Sequence, residues 1–512
     1  MSNVVSDNLH KLIKSMSKPE KRYFKVFSSR HIIGDNNNYQ ILFDAIDKQD
    51  VYNEEKILRK FKDEVFINRF SISKNRLYTA ILRSLDSFHS NSSIQAQLHR
   101  QLHSVEILYQ KSLYDQSLKL LHSARKVAEK HEKLTILAEI YNWEKRILEK
   151  NNYEEADNGI QISNMLQADR ELSKTLQTYN ELWNVKSRIF AQLYSQGKVR
   201  SEDELRQLEL ILEQIRQNAG ESATSTENQY LINHIFSAYH FALGEYTECY
   251  PYLQKNLALL DEKAHLFQDE PNVYISVLTN AIYVGMRLGK WNEALERIDQ
   301  LNRLPLQLEA RWNDDLEIRV FALSKSTELT LYAQSGDFEK GLALIPTIEE
   351  GLARHEENLS SVRKAHFYFN MAIIYFGMER FKDALRCINN LLNNIEIDKT
   401  KDIHCIAQIL NLIIHLELGN KDLLPYSLRS TQRFLETRNR VYKFETVMLN
   451  FINDMVKKRI DKTSEELYVE LEKELTLLKS DNFEKTVFEY FDFLAWARGK
   501  VAGKKYRDSL AA

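Results

Sequence analysis

The sequence predicts an all-α fold: an α-solenoid of about eight antiparallel helix pairs, with a small helical domain before it and capping helices after it. Three observations predict this. The chain has 14 Gly and 6 Pro in 512 residues, where average usage would give roughly 35 and 25. So few turn residues leave little room for hairpins. Turn signals recur at positions 112, 151, 197, 244, 289, 336, 379 and 419, spaced 39, 46, 47, 45, 47, 43 and 40 residues apart. Each of the better-kept turns is followed by an aromatic residue and then a small one, as a tight helical hairpin requires.

The turns carry the repeat. "LGKWNEALERI" has Gly289, Trp291 and Ala294; "QSGDFEKGLAL" has Gly336, Phe338 and Gly341; "LGEYTECYPYL" has Gly244, Tyr246 and Cys249. "KNNYEEADNGI" and "KSLYDQSLKLL" repeat the pattern from Asn151 and Ser112, and weaker versions start at Gly197 and Gly419. Five of the 14 glycines stand at this one position. Two antiparallel helices joined by three or four residues need a position that tolerates φ > 0. They also need small residues where the helices touch and an aromatic to fill the gap at the turn.

Ahead of the array, residues 1–93 form a small basic domain, with helical patterns at about 8–16, 19–30, 38–48, 53–63 and 72–90. Tyr23, Phe24, Phe27, Leu42, Phe43 and Ile57 are its expected core. Residues 94–430 are the array, joined through SNSSIQ (90–95), and 431–512 are the caps. Pro346 falls inside a second helix, where a kink is expected. TSEE (463–466) reads as a capping box, followed by a stripe of Leu467, Leu471, Leu475 and Leu478. The aromatic-rich stretch 482–500 is expected to be one helix covering the end of the array, and the tail from 501 to be frayed.

The best-kept unit, residues 365–398, resembles the tetratricopeptide repeat: Tyr368, Met371, Ala372, Tyr375, Phe381 and Ala384 fall on its consensus places, with Glu379 where Gly is usual. The resemblance covers about residues 98–430. The period exceeds the ~34 residues of the standard repeat and falls in the ~40–47 range of HEAT repeats. The Gly-x-aromatic-x-x-small turn favours the tetratricopeptide type. The resemblance implies a right-handed solenoid whose first helices line a concave groove, and its register puts Tyr141, Tyr194, His234, Phe241, Tyr283, Met286 and Phe369 there. Some members clamp a peptide's terminal carboxylate with Lys and Asn from adjacent first helices; the matching positions here do not form that set. Small, neutral and aromatic positions imply an apolar or aromatic protein or peptide segment as partner.

Net charge is −2, but residues 1–90 hold 16 Lys/Arg against 11 Asp/Glu. An alternative function is therefore a nucleic-acid-linked regulator. Residues 54–85 read as helix, connection, helix, and Lys21, Arg22, Lys74, Arg76 and Arg83 would contact nucleic acid, although the connection lacks a tight Gly turn. Cys249, Cys387 and Cys405 fit a reducing compartment, and the absence of an 18-residue apolar run gives the expectation of a cytoplasmic protein. No catalytic signature is readable, so no enzyme activity, metal or cofactor is expected. GKVAGKK (499–505) is one residue short of a phosphate-binding loop, lacks its Ser/Thr and follows a helix. His99 and His103 share a helix face without the Glu of a metalloprotease or a third ligand, and His404, Cys405 and Cys387 lack a metal-ligand spacing.

Overall fold

The computed structural model describes residues 7–29, 38–90, 93–150, 160–218, 225–308, 313–356, 358–393, 402–438, 440–457 and 463–510. The described residues form some 25 helices and no strand. They cluster into two compact units, Met1–Ser173 and Lys174–Ala512.

The first unit opens with α1 (Asn8–Ser15), α2 (Lys18–Ser29), α3 (Asn38–Asp47), α4 (Glu54–Lys60), a 3-10 turn (Val65–Arg69) and α5 (Phe70–Phe88). These match the five patterns read from the sequence. Phe24, Leu42, Phe43 and Ile57 are buried as expected, together with Leu77 and Ile81 of α5, while Tyr23 and Phe27 are half-buried. The basic stretch is largely neutralised within the unit: Lys21 reaches Asp47 at 2.7 Å, Lys25 reaches Asp44 at 2.7 Å, and Lys74 pairs with Glu54. Next come α6 (Ile94–Gln110), α7 (Tyr114–Lys130) and α8 (Leu134–Lys150); α7 packs on α6, and α8 on α7.

The unit boundary falls within α9 (Ile160–Gln196). The second unit continues through α10 (Glu202–Asn218), α11 (Thr226–Ala242), α12 (Tyr246–Glu262), the short α13 (Ala264–Phe267), α14 (Pro271–Arg287) and α15 (Trp291–Gln307). It proceeds with α16 (Asp314–Ser335), α17 (Phe338–Arg354), α18 (Ser361–Gly377), α19 (Phe381–Leu392), α20 (Asp402–Glu417) and α21 (Leu424–Glu436). Then follow α22 (Lys443–Lys457), α23 (Ser464–Ser480), a 3-10 turn (Lys485–Glu489), α24 (Phe493–Ala502) and α25 (Tyr506–Leu510). From α14 to α25 each helix packs on its successor in a repeat-like sequence.

The turn positions read from the sequence are the left-handed positions of the backbone. Gly197, Gly244, Gly289, Gly336 and Gly419 have φ between 68° and 85°; Ser112 and Glu379 reach 59° and 58°. Position 151, with Tyr153 and Ala156, lies outside the described residues. Most of these turns share one hydrogen bond, donated by the residue after the left-handed position to a carbonyl five residues back. It runs from Leu113 to Leu108 (3.0 Å), Glu245 to His240 (2.9 Å), Lys290 to Gly285 (2.9 Å), Arg380 to Tyr375 (2.8 Å) and Asn420 to His415 (3.0 Å). This is the Schellman closure, which satisfies a helix-end carbonyl.

The rest of the motif follows. Tyr114, Tyr246, Trp291, Phe338 and Phe381 are each the first residue of the second helix. Ser117, Cys249, Ala294, Gly341 and Ala384 are all buried. Two of these small residues donate across the pair: the Ser117 hydroxyl to Val105 O and the Cys249 thiol to Ser237 O, both at 3.2 Å. At Gly341 a Cβ would overlap the Ile374 side chain, so the position is small because α17 and α18 touch there. Pro346 lies inside α17, which continues across it, as α12 and α15 continue across Pro251 and Pro305. None of the three prolines is buried, and the carbonyls freed by Pro251 and Pro346 belong to Thr247 and Leu342, which are not buried either, whereas Pro305 frees that of the buried Leu301.

At the C-terminus the capping box forms: Thr463 N–H donates to Glu466 at 2.7 Å and Glu466 N–H donates to the Thr463 hydroxyl at 3.3 Å. The stripe from Leu467 to Leu478 is buried. Two expectations fail here. Residues 482–500 are not one helix, and the tail is ordered through residues 501–510. The Asp492 carboxylate accepts from Ala495 N–H at 2.9 Å and starts a new helix there. The break lets Phe491 stack on Tyr506 (4.7 Å, 14°) and meet Phe493 edge-on (5.0 Å). Tyr506 is 9% exposed, and Arg507 pairs with Glu339 at 2.8 Å, so the tail is packed on the α16–α17 and α18–α19 turns.

Candidate functional site

The site is built on the four residues after α9. Gly197 takes φ 85°, which ends the helix; a Cβ there would overlap the Asp402 carboxylate. Val199 N–H donates to Ala242 O at 2.9 Å. The two basic residues of this loop point into the protein. Arg200, 5% exposed, makes a bidentate pair with Glu445 (2.8 and 3.1 Å) and a second pair with Glu484 (2.7 Å). Glu484 also accepts from Lys443 N–H (3.1 Å) and Phe444 N–H (3.3 Å), and the Arg200 guanidinium lies 4.1 Å from the Tyr442 ring centre. Lys198 pairs with Glu489 and bonds Tyr246, its ammonium 4.9, 4.8 and 6.0 Å from the rings of Phe241, Tyr246 and Tyr283. Arg287 donates to Glu489 O at 2.8 Å, and Arg440 pairs with Asp402.

The charges balance: Lys198, Arg200, Arg287 and Arg440 face Asp402, Glu445, Glu484 and Glu489. A buried ion is tolerated when paired and hydrogen-bonded, and removing one partner is expensive. Burial works against the charged form of Glu489, yet Lys198 and Arg287 hold its carboxyl below the usual range. Burial likewise opposes the Arg200 charge, but Glu445 and Glu484 push the guanidinium further up.

Beside this network opens a cleft of about 350 Å³ between α9, α11, α14 and the stretch that ends at Tyr490. Phe190, Leu193, Tyr194, Ala238, Phe241, Leu253, Tyr283 and Val284 supply apolar wall, and Ser237, Ser276, Asn280, His234, His366 and Tyr490 supply polar atoms. His234 is 6% exposed, with its ring stacked between Phe190 (4.9 Å, 23°) and Tyr230 (5.4 Å, 15°). Burial, with the nearby Lys186 charge, pushes its pKa from 6.5 to about 3, so the imidazole is neutral at pH 7. Its Nδ1 is buried without a hydrogen-bond partner. The Cys249 thiol also lines the cleft, but burial pushes it up to about 12, which makes it a poor nucleophile.

Four residues expected in a groove therefore meet in one cleft: Tyr194, His234, Phe241 and Tyr283. Tyr194 is 69% exposed, whereas Phe241 and Tyr283 are half-buried around Lys198. Met286 and Phe369 are buried at 2% each and belong to the core; Phe369 meets Tyr490 edge-on at 6.1 Å. Tyr141 lies in the first unit, buried, with Arg125 donating to its hydroxyl at 3.2 Å. The sequence reading missed Lys198, Arg200 and their partners. The one available signal was the departure of "GKVR" from the turn pattern, with Val199 where an aromatic is usual.

In the first unit Lys21 and Lys74 are held by Asp47 and Glu54, while Arg22, Arg76 and Arg83 are exposed. Arg76 and Arg83, two turns apart on α5, line a groove of about 630 Å³ with Phe27, Tyr39 and Ile72. GKVAGKK is the end of α24 and its Gly503 turn, with Lys500 held by Glu417 at 2.6 Å and Lys505 by Glu379. His99 is exposed and His103 faces Glu106 at 3.3 Å. His404 stacks on Phe434 at 5.1 Å, and burial pushes Cys387 and Cys405 up to about 12 and about 11. No group of three or more His, Cys, Asp or Glu among the described residues is placed to hold a metal ion, and no described helix is long and apolar enough to cross a membrane.

No known protein-family model matches this chain, and no curated protein matches it.

Proposed function

We propose that the chain is a non-enzymatic binding protein, a right-handed tetratricopeptide-like solenoid that takes an apolar or aromatic segment of another protein in the cleft at Tyr194 and His234. The observation that carries this is the convergence of aromatic walls and neutral polar groups in one cleft, with its cationic neighbour Lys198 already occupied by Glu489. A protein segment matches such a surface by inserting one or two anchoring side chains. The test is recovery of partners from the native cell extract by the full chain and by a Tyr194→Ala/Asn280→Ala variant. Both side chains are exposed, so the variant keeps its fold. At least a tenfold loss of one reproducible partner is expected; equal recovery overturns the reading.

A second reading rests on Arg76 and Arg83, which have no ion-pair partner among the described residues and share a groove with Phe27 and Tyr39. Such a surface suits the phosphates and bases of a nucleic acid, and the chain would then be a regulator with its basic head on nucleic acid. Gel shifts of the full chain at ~50 mM salt should weaken steeply as salt rises, and Arg76→Glu/Arg83→Glu should abolish them. Absence of any shift at low salt removes this reading.

A further inference from the structure

Buried polar groups are ordinarily paired, because leaving one unmet costs the full desolvation penalty. His234 departs from this. Its imidazole is 6% exposed, and Nδ1 has no partner among the described residues. The ring cannot relieve the cost by taking up a second proton, since burial and the Lys186 charge keep it neutral. The residue lines the cleft, so a partner segment seated there lies beside the imidazole.

Two further polar side chains line the same cleft from α14. Ser276 and Asn280 are four residues apart, on one helix face, and neither has a hydrogen-bond partner among the described residues. The set of imidazole, hydroxyl and carboxamide is neutral and holds both donors and acceptors. Among the described residues lining the cleft, the lysine is Lys198, and it is already bound to Glu489. The ammonium of Lys198 is therefore not free to receive an incoming carboxylate. The walls are flat rings and branched aliphatic chains, from Phe190, Phe241 and Tyr283 to Leu253 and Val284, which favour a ring stacked or seated edge-on.

We propose that this cleft is a specific site for an uncharged aromatic side chain of a partner segment, its ring among Phe190, Leu253 and Val284 and its polar edge at His234, Ser276 and Asn280. The assignment rests on the binding-protein reading above and gives that reading a ligand chemistry. A volume of about 350 Å³ is at the small end of ligand sites, enough for one large side chain and its backbone amides. An aromatic ring with a polar edge meets the unpaired nitrogen; an aliphatic chain of similar size leaves it unmet. A site built around hydrogen bonds discriminates strongly against an analogue that lacks them.

The test uses the full chain and three probes, with binding followed by saturation-transfer NMR. N-acetyl-tryptophanamide carries an uncharged indole, N-acetyl-tryptophan adds a carboxylate, and N-acetyl-leucinamide removes the ring. Saturable binding is expected for the first, and at least tenfold weaker binding for the other two. His234→Phe, which keeps a stacked ring and removes both nitrogens, should weaken N-acetyl-tryptophanamide at least tenfold. Asn280→Ala, at an exposed position, should weaken it at least threefold and serves if His234→Phe fails to fold. No saturable binding of N-acetyl-tryptophanamide, equal binding of the carboxylate probe, or no change in either variant overturns the assignment. If Tyr194→Ala/Asn280→Ala still loses a protein partner in that case, the binding-protein reading survives and only the aromatic assignment falls.

Discussion

The turns at Gly244 and Gly197 begin alike and finish differently. Both glycines sit at positive φ, 69° and 85°. After Gly244, Glu245 N–H closes back onto His240 O of its own helix, and Tyr246 starts the partner helix. After Gly197, Val199 N–H instead reaches Ala242 O, while Lys198 and Arg200 reach Glu489, Glu445 and Glu484, up to 291 residues away. One turn is local chemistry repeated along the chain. The other uses the same backbone position to tie the 3-10 turn at 485–489 and α22 to the start of the second unit.

The largest effect should come from breaking that tie. Arg200→Met leaves Glu445 and Glu484 buried without their cation, and truncating one partner of a buried pair costs roughly 3–5 kcal/mol. Urea unfolding of the second unit should show a loss of that size. The matching change at the local turn, Glu245→Gln, should cost under about 0.5 kcal/mol, because its carboxylate faces only the partly exposed His240. A loss of less than ~1 kcal/mol for Arg200→Met would mean that the network is not buried as described.

A middle-sized effect separates His234 from the ion pairs. Its folded pKa lies near 3, below the ordinary 6.5, so its contribution is complete above pH 6.5 and is lost as pH falls from there toward 3. Between pH 7.5 and 5.5 the wild type should lose about 1 kcal/mol more than His234→Phe. Parallel stability profiles for the two proteins would place the imidazole in water. The carboxylate Glu489, held low, contributes stability that is complete above the usual carboxylate range and is lost as pH falls through that range toward its lower folded value.

The smallest effects test the turns themselves. Gly289 has φ 72° with nothing within 4 Å of a built Cβ, so Gly289→Ala costs only the backbone term, about 1 kcal/mol. Ser112 takes φ 59° without being Gly, so Ser112→Gly should stabilise the first unit by up to about 1 kcal/mol. Thermal unfolding should move in opposite directions for the two. The same sign for both would contradict a shared turn geometry.

These contrasts also mark what the sequence disclosed. The helix pairs were legible because their determinants are local: a left-handed position, an aromatic two residues later and a small contact residue three further on. Even Glu379 and Ser112 were found by position and then adopted the glycine geometry. The capping box at Thr463 and the leucine stripe after it were legible for the same reason. The break after Phe491 and the packed tail were hidden, because they depend on Asp492 capping α24 and on Tyr506 finding Phe376 and Phe338. The cleft was half legible. Tyr194, His234, Phe241 and Tyr283 were placed by register, but Met286 and Phe369 proved to be core and Tyr141 belongs to the first unit. Lys198 and Arg200 were missed beside the weak turn at Gly197, since their ion-pair partners lie 245 to 291 residues on.

The binding role of the cleft is tested most directly by comparing two tyrosines of the second unit. Tyr194, at the cleft, is 69% exposed; Tyr426, on α21 and away from it, is 68% exposed. Each is replaced in turn by the photo-crosslinker p-benzoylphenylalanine in the full chain, and the proteins are irradiated in native extract. The account predicts a discrete crosslinked partner from position 194, displaced by excess unlabelled wild-type chain, and none from position 426. The same adducts at both positions, or none at 194, would contradict it.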